Sequence, residues 1–176
     1  MIIKFFIMLV ILSISYSEAA TWQDSIVIPE TPNDVLKVEM SDVDCLALNI
    51  YHEARGERAL GHALVAQVTM NRIRDLHYPN TACGVVLLQR RSAKTGNMVP
   101  HFSWTLDGAS DSASNKPIFK EAYLMAIEYL FMGKTAPVQG ANDLLSYHAD
   151  WVSPEWHDME FVFKYDSHIF YKRRNS

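Results

Sequence analysis

The segment from Ser41 to Gly56 predicts a helix whose ends and buried side can both be identified in the sequence. Ser41 and Asp44 have the spacing of a capping box, and Gly56 is a residue type that commonly follows a helix end. Glu53 is the charged residue on the apolar side of this helix, because it lies three residues after Ile50 and seven after Leu46. A fold built on this helix must therefore accommodate a carboxyl group at the edge of its core.

A carboxyl group removed from water keeps its proton to a higher pH, as a general acid for glycosidic cleavage must. The ordinary alternative is that Glu53 pairs with Arg55 or Arg58 at the helix end, and helical periodicity favours neither interpretation. Glu57, one turn further, could form a carboxylate pair with Glu53. The interpretation that we favour for it is structural: capping the second helix, or holding Arg55 or Arg72 in place.

The rest of the chain predicts an α+β fold, a compact and mainly helical domain with a small sheet late in the sequence. Apolar spacing and capping residues predict further helices over residues 60–74 and between Asn115 and Gly133. Residues 82–111 have a weak pattern that indicates loops or short strands. Short β-prone pieces follow at residues 144–148, 161–163 and 168–171.

The N-terminus predicts export. An apolar run from Phe5 to Leu12 follows Lys4, and small residues around Ala19 complete the pattern of a signal peptide over residues 1–19. A retained membrane anchor and an N-terminal core helix are the alternatives. Residues 20–40 read as a linker or arm, and residues 41–174 are long enough for one domain. We expect a protein of the periplasm or cell envelope that meets the membrane only through its signal segment.

Export also affects the interpretation of the two cysteines, Cys45 and Cys83. In an oxidising compartment an even pair forms a disulfide more often than a metal site or a redox motif. Two buried free thiols are the alternative.

Charge and motifs exclude several classes of function. Sixteen basic and twenty acidic residues give a net charge of −4, which argues against a nucleic-acid partner. The sequence has no P-loop, no GxGxxG and no GxSxG, and the HExxH zinc motif fails because Gly56 stands where its second histidine would be. We predict no cofactor and no metal, the alternative being a cluster of His148, His157 and His168.

Ordered blocks of sequence between residues 42 and 172 resemble the SleB-type cell-wall hydrolases, the family of the spore-cortex-lytic enzymes. The blocks are YHEARGE at residues 51–57, GHALVAQV at 61–68, NR at 71–72, YPNT at 78–81, CGVV at 83–86, HFSW at 101–104, SYHA at 146–149 and HIFY at 168–171. Pro100 and Leu106 stand where related members carry a second cysteine pair, so a second disulfide is not expected.

This resemblance implies a lysozyme-like domain that binds peptidoglycan glycan strands and cleaves between N-acetylmuramic acid and N-acetylglucosamine. The first glutamate of EARGE, Glu53, would be the catalytic acid and base of a lytic transglycosylase, with simple hydrolysis as the alternative. The candidate substrate-binding residues are Glu57, Asn71, Phe102, Ser103, Tyr147, His148 and His168. We expect a monomer.

Two biological settings fit the sequence equally: bacterial envelope remodelling and phage lysis. An N-acetylmuramoyl-L-alanine amidase is the alternative enzyme, although it would normally need zinc ligands. The alternative without activity is an exported wall-binding module, against which an intact Glu53 argues.

Overall fold

The computed structural model describes residues 41–92, 95–108, 110–154 and 156–174. The predicted signal peptide (residues 1–19) and linker (residues 20–40) lie outside the described residues. In chain order the elements are α1 Asp42–Ala54, α2 Ala59–Arg74, α3 Ala82–Val86, β1 Gln89–Arg91, β2 Met98–Pro100, a 3₁₀ helix Ser103–Leu106, α4 Lys116–Phe131, a 3₁₀ helix Ala141–Asp143, β3 Leu144–Ala149, β4 Met159–Tyr165 and β5 His168–Arg173.

Helix α1 lies at the centre of the domain. Its predicted capping box is present: the Asp44 amide donates to Ser41 Oγ over 3.1 Å, and the Ser41 amide donates to Asp44 Oδ2 over 3.0 Å. Every residue from Cys45 to Tyr51 is buried, because α2, α3 and α4 all pack against this one helix. The apolar spacing therefore identified the inner face correctly but underestimated how completely the helix is enclosed.

The other two predicted long helices are also present. Helix α2 is buried from Gly61 to Arg72, and α4 begins where the Asn115 side chain accepts a hydrogen bond from the Ile118 amide. Gly133, with φ of +66°, follows the end of α4 in a conformation that favours glycine.

The strands form two antiparallel units. Strands β3, β5 and β4 make one sheet in that order, and Tyr147 pairs with Phe170 across β3 and β5. Asn71 attaches this sheet to α2, because its Nδ2 donates to the carbonyls of Ala141 and Leu144, each over 2.8 Å. Strands β1 and β2 form a separate hairpin within the region predicted as loops or short strands. The predicted α+β class is confirmed.

A disulfide joins Cys45 of α1 to Cys83 of α3, as the sequence predicted. It closes a loop across a sequence separation of 38 and ties the central helix to the start of the segment that leads into the hairpin. Within the described ranges, no helix has the length and apolar character needed to cross a membrane.

Candidate active site

Glu53 lies in the last turn of α1, partly buried, where the hydroxyl of Tyr147 donates a hydrogen bond to its Oε2 over 3.1 Å. The arginines considered as ordinary partners for it are engaged elsewhere. Arg58 pairs with Asp166 at 2.5 Å, and the Arg55 guanidinium lies 5.8 Å from the centre of the Tyr51 ring. Glu53 is therefore not an ordinary ion-paired carboxylate at a helix end.

Burial raises the pKa of Glu53 to about 7 from its ordinary value of 4.5. The hydrogen bond from Tyr147 and the charge of Arg72 act in the opposite direction, because both stabilise the carboxylate. At neutral pH, substantial fractions of the protonated and the ionised carboxyl coexist. A group in this state can deliver a proton and recover it, which is the requirement for general acid and base catalysis.

Tyr147 is held in place by rings on three sides. Its ring centre lies 5.0 Å from that of His168, 5.6 Å from that of Phe170 and 6.4 Å from that of Phe102. Burial of the hydroxyl, followed by the nearby charge of Glu53, raises the pKa of Tyr147 well above its ordinary value. The phenol is thus a fixed, neutral donor to Glu53.

Arg72 supplies a buried positive charge near this pair. Its Nε donates to the Leu145 carbonyl over 2.8 Å, and its guanidinium lies 5.1 Å from the centre of the Phe102 ring and 5.3 Å from that of Tyr78. Burial lowers its pKa, although an arginine remains charged at any working pH. Its Nη1 is buried without a hydrogen-bond partner in the described part of the chain.

Glu57 has a different setting from Glu53. Its Oε1 accepts a hydrogen bond from Ser167 Oγ and lies 3.5 Å from Nδ1 of His168. The favoured structural role is therefore found with other partners than predicted, since Glu57 contacts the turn between β4 and β5 and not Arg55 or Arg72. Its Oε2 is buried and unpaired among the described residues.

His168 connects this buried carboxylate to the active-site tyrosine. Its ring packs edge-on against Tyr147, and 8% of its surface is exposed. Burial lowers the pKa of His168, whereas the charge of Glu57 raises it. His168 therefore links Glu57 to the ring of Tyr147, and direct contact of either residue with a substrate stays a prediction.

The remaining candidate residues are dispersed. Phe102 is 2% exposed, so the expected sugar contact is not available to it, and it packs beneath Tyr147 instead. Asn71 bonds to backbone carbonyls, which is one of its two predicted alternatives, and has no hydrogen bond to Glu53 among the described residues. Ser103 is exposed at the start of a 3₁₀ helix. His148 stacks on Tyr171, with ring centres 5.2 Å apart.

Tyr147 and the hairpin β1–β2 both line an open cleft of about 540 Å³, called the large cleft to distinguish it from a smaller one beside α1. Its walls are Arg72, Tyr78, Arg90, Arg91, Ser92, Val99, Pro100, His101, Ser146, Tyr147, Trp156, Asp158 and Met159. A smaller cleft of about 270 Å³ lies beside the end of α1, with His52, Arg55 and Trp104 in its wall. Glu53 does not itself line either cleft; its hydrogen-bond donor Tyr147 lines the first, and its chain neighbour His52 lines the second.

Among the described residues, no three histidine, cysteine, aspartate or glutamate side chains come together as potential metal ligands. His148, one of the histidines considered for a metal site, is surrounded by aromatic rings. Trp156 lies edge-on to His148, with ring centres 5.5 Å apart. The Nε2 atom of His148 is 3.0 Å from the Tyr171 hydroxyl oxygen.

Arg72 was not among the residues predicted to act with Glu53, although the apolar spacing of α2 places it on the buried side of that helix. Arg72 follows Val68 by four residues and Val65 by seven, so it falls on the buried side of α2. The contributions of Arg90 and His101 had no such pattern, because Arg90 lies in the hairpin β1–β2 and His101 directly follows it, and this hairpin has no apolar alternation.

The fold and the site together define an α+β enzyme that carries a carboxylic acid of raised pKa at a helix end, beside an open cleft. Over residues 56–171 the sequence matches the cell wall hydrolase family, and the chain belongs to that family. The matched range begins three residues after Glu53, so the assignment of this carboxyl group depends on its geometry.

Solved structures have the same fold. The catalytic domain of the germination-specific lytic transglycosylase SleB from Bacillus anthracis is 28% identical, with a TM-score of 0.54 over 78% of this chain and 99% of that one. The catalytic domain of the Bacillus cereus SleB protein is 28% identical, with a TM-score of 0.53 over 79% of this chain and 96% of that one. A curated relative, the spore cortex-lytic enzyme of Bacillus cereus, is 40% identical over 50 residues, which are 28% of this chain and 19% of the relative.

Proposed function

We propose that this protein cleaves the glycan strands of peptidoglycan as a lytic transglycosylase, with Glu53 as its general acid and base. The observation that carries the proposal is the position of Glu53: its pKa is about 7, and its hydrogen-bond donor, Tyr147, lines the large cleft. Family membership and the likeness to SleB catalytic domains support the same reaction class.

In the proposed reaction one carboxyl group serves both steps. Protonated Glu53 gives its proton to the oxygen that leaves N-acetylmuramic acid, and the bond from the anomeric carbon to that oxygen breaks. The N-acetyl carbonyl oxygen assists by bonding to the anomeric carbon. Glu53, now a carboxylate, then removes the proton from the muramyl hydroxymethyl group, whose oxygen displaces the N-acetyl oxygen and closes an anhydro ring. Glu53 ends the cycle protonated.

The setting of Glu57 favours this mechanism over one that uses two carboxylates. A retaining glycosidase places its nucleophilic carboxylate about 5 Å from the acid, facing the same sugar. Glu57 instead accepts a hydrogen bond from Ser167 and lies 3.5 Å from His168, whose ring packs against Tyr147. We therefore assign it no step on the substrate.

Digestion of purified sacculi tests the reaction class. Mass spectrometry of the products should show anhydromuramyl ends, whereas reducing muramyl ends would indicate hydrolysis and freed stem peptides would indicate an amidase. A Glu53→Gln variant with full activity would overturn the proposed catalytic role.

We also propose export to the periplasm or cell envelope, in bacterial envelope remodelling or phage lysis, on the strength of the N-terminal sequence. The size of the mature protein in membrane and periplasmic fractions tests this. Cleavage after Ala19 would give a soluble periplasmic form, and an uncleaved form in the membrane fraction would indicate an anchor.

A further inference from the structure

The large cleft gathers positive charge in a protein that is acidic as a whole. Three arginines line it, namely Arg72, Arg90 and Arg91, and Asp158 is the one carboxylate among the described residues of its wall. The chain as a whole has a net charge of −4. A local excess of positive charge against that background favours an anionic ligand in this cleft.

Arg72 forms the inner end of the cleft and is 5% exposed. A buried arginine is normally stabilised by a paired carboxylate, yet no ion pair to Arg72 exists within the described ranges. Aromatic rings and one backbone carbonyl hold it, and its buried Nη1 has no hydrogen-bond partner in the same part of the chain. The guanidinium therefore retains an unused donor beside the cleft.

Arg90 reaches the same place from the hairpin. Its guanidinium lies 5.4 Å from the centre of the Tyr78 ring, and that of Arg72 lies 5.3 Å from the same centre. Its Nη2 donates to the His77 carbonyl over 3.3 Å. In addition to burial, the charge of Arg90 lowers the pKa of Arg72, so the two guanidiniums repel each other, and an anion bound near both would relieve this repulsion.

His101, in the wall of the same cleft, responds to these charges. Burial lowers its pKa to about 4, and the charges of Arg72 and Arg90 contribute in the same direction. His101 is consequently neutral at neutral pH, so the positive charge of the cleft belongs to the arginines.

We propose that Arg72 and Arg90 bind a carboxylate on the muramyl substituent of peptidoglycan: one of the stem peptide where a peptide is attached, or that of the lactyl group where the peptide has been removed. This inference rests on the proposed function. The N-acetyl sugars of the glycan backbone are uncharged, and its carboxylates are carried by the muramyl side chain. Tyr147, which contacts Glu53, lines the same cleft as both arginines, so a strand with its scissile bond at Glu53 would have the arginine-lined cleft beside it.

Binding to sacculi by the Glu53→Gln variant tests the inference without requiring cleavage. The comparison is between untreated sacculi and sacculi whose carboxylates have been converted to amides with carbodiimide and ammonia. Amidation should raise the dissociation constant about tenfold, a ratio typical of the loss of a charge-assisted hydrogen bond.

Adding Arg90→Gln to the Glu53→Gln variant should weaken binding to untreated sacculi by a similar factor and leave amidation with little further effect. Arg90→Lys should retain most of the affinity, because it keeps the charge. The matched control is Arg74→Gln, an exposed arginine of α2 that does not line this cleft. It should respond to amidation as the parent does.

Equal binding to untreated and amidated sacculi, or equal losses from Arg90→Gln and Arg74→Gln, would overturn the inference. Glycan strands stripped of stem peptides distinguish the two sources. Removing the peptide frees the lactyl carboxylate, so an Arg90 effect that persists on these strands shows that this group is bound, whereas one that disappears restricts the site to carboxylates of the stem peptide. If the wild type cleaves no glycan while binding depends on Arg90 and carboxylates, the proposed reaction fails and the carboxylate site stands.

Discussion

At the scale of single residues, the site is organised around one carboxyl group, that of Glu53, whose burial disfavours its ionised form. Desolvation at the end of α1 works against ionisation of Glu53, while Tyr147 and Arg72 limit that effect and hold the pKa of the carboxyl near 7. Its proton affinity is therefore set by a balance between burial and two named neighbours. Each of these contributions can be removed separately.

Glu53→Gln should abolish most activity and stabilise the fold at alkaline pH. Loss of a general acid and base typically costs about 10²–10⁴-fold in rate. Because the pKa of Glu53 is raised to about 7 on folding, the stability that its neutral form gives is present below pH 4.5 and lost as pH rises through 7. At pH 8 the variant should gain about 2–3 kcal/mol in the free energy of unfolding. Urea denaturation at pH 4 and pH 8 checks this, and an equal difference at both would contradict it.

Tyr147→Phe should move the pH profile of glycan cleavage. The wild-type kcat/KM should fall as pH rises through about 7, where Glu53 loses its proton. Removing the hydroxyl removes a hydrogen bond to the carboxylate, so the pKa of Glu53 rises and the alkaline limb shifts upward by on the order of one pH unit. Tyr171→Phe, whose hydroxyl contacts His148, is the matched control and should leave the limb in place. If the alkaline limb lies at the same pH in the wild type, Tyr147→Phe and Tyr171→Phe, the proposed effect of the Tyr147 hydroxyl on Glu53 is contradicted.

At the scale of elements, the long helices could be predicted because caps and apolar spacing agreed. Ser41 with Asp44, and Asn115 with Gly133, mark the ends that the structure has. The hairpin β1–β2 could not be predicted, because its side chains are mostly exposed and leave no alternation. Helix α3 has five residues, too few for a periodic pattern.

The same distinction applies to the site. Glu53 could be predicted because an apolar helix face makes a charged residue conspicuous. The supporting arrangement of Tyr147, His168 and Glu57 could not, since Tyr147 lies 94 positions from Glu53 and Ser167, which precedes His168, lies 110 positions from Glu57. Phe102 is a candidate substrate-binding residue in the sequence and a core residue in the structure, because aromatic residues in a core and in a sugar site look alike in sequence.

The junction of α1 and α2 depends on a glycine in α2. A Cβ added to Gly61 would lie 2.6 Å from the Cβ of Glu57, closer than two carbon atoms that are not bonded to each other can approach. Gly61→Ala should therefore displace Glu57 from Ser167 and cost about 1–3 kcal/mol of stability. Gly56→Ala, at the preceding helix end, meets nothing within 4 Å and is the matched control. Thermal unfolding should give a lower melting temperature for Gly61→Ala than for Gly56→Ala. Equal melting temperatures would refute the predicted clash.

At the scale of the whole molecule, the disulfide is a constraint on the unfolded chain as well as a link between α1 and α3. Closing a loop across a separation of 38 residues should contribute about 3–4 kcal/mol. Reduction with dithiothreitol should lower the denaturation midpoint accordingly. The Cys45→Ala, Cys83→Ala double variant should have a low midpoint that dithiothreitol leaves unchanged. A wild-type midpoint insensitive to complete reduction would contradict the prediction.

The burial of α1 from Cys45 to Tyr51 separates the part of this fold that tolerates substitution from the part that does not. Helix α1, which carries Glu53 in its last turn, touches three other helices, so a substitution at its buried residues disturbs the whole interior. The hairpin β1–β2 carries Arg90 on exposed strands, where exchanges disturb little packing. Lineages with this architecture can therefore diverge in the polymers that they recognise while their bond-breaking chemistry stays unchanged, and hairpin grafting between relatives becomes a practical route to new specificities.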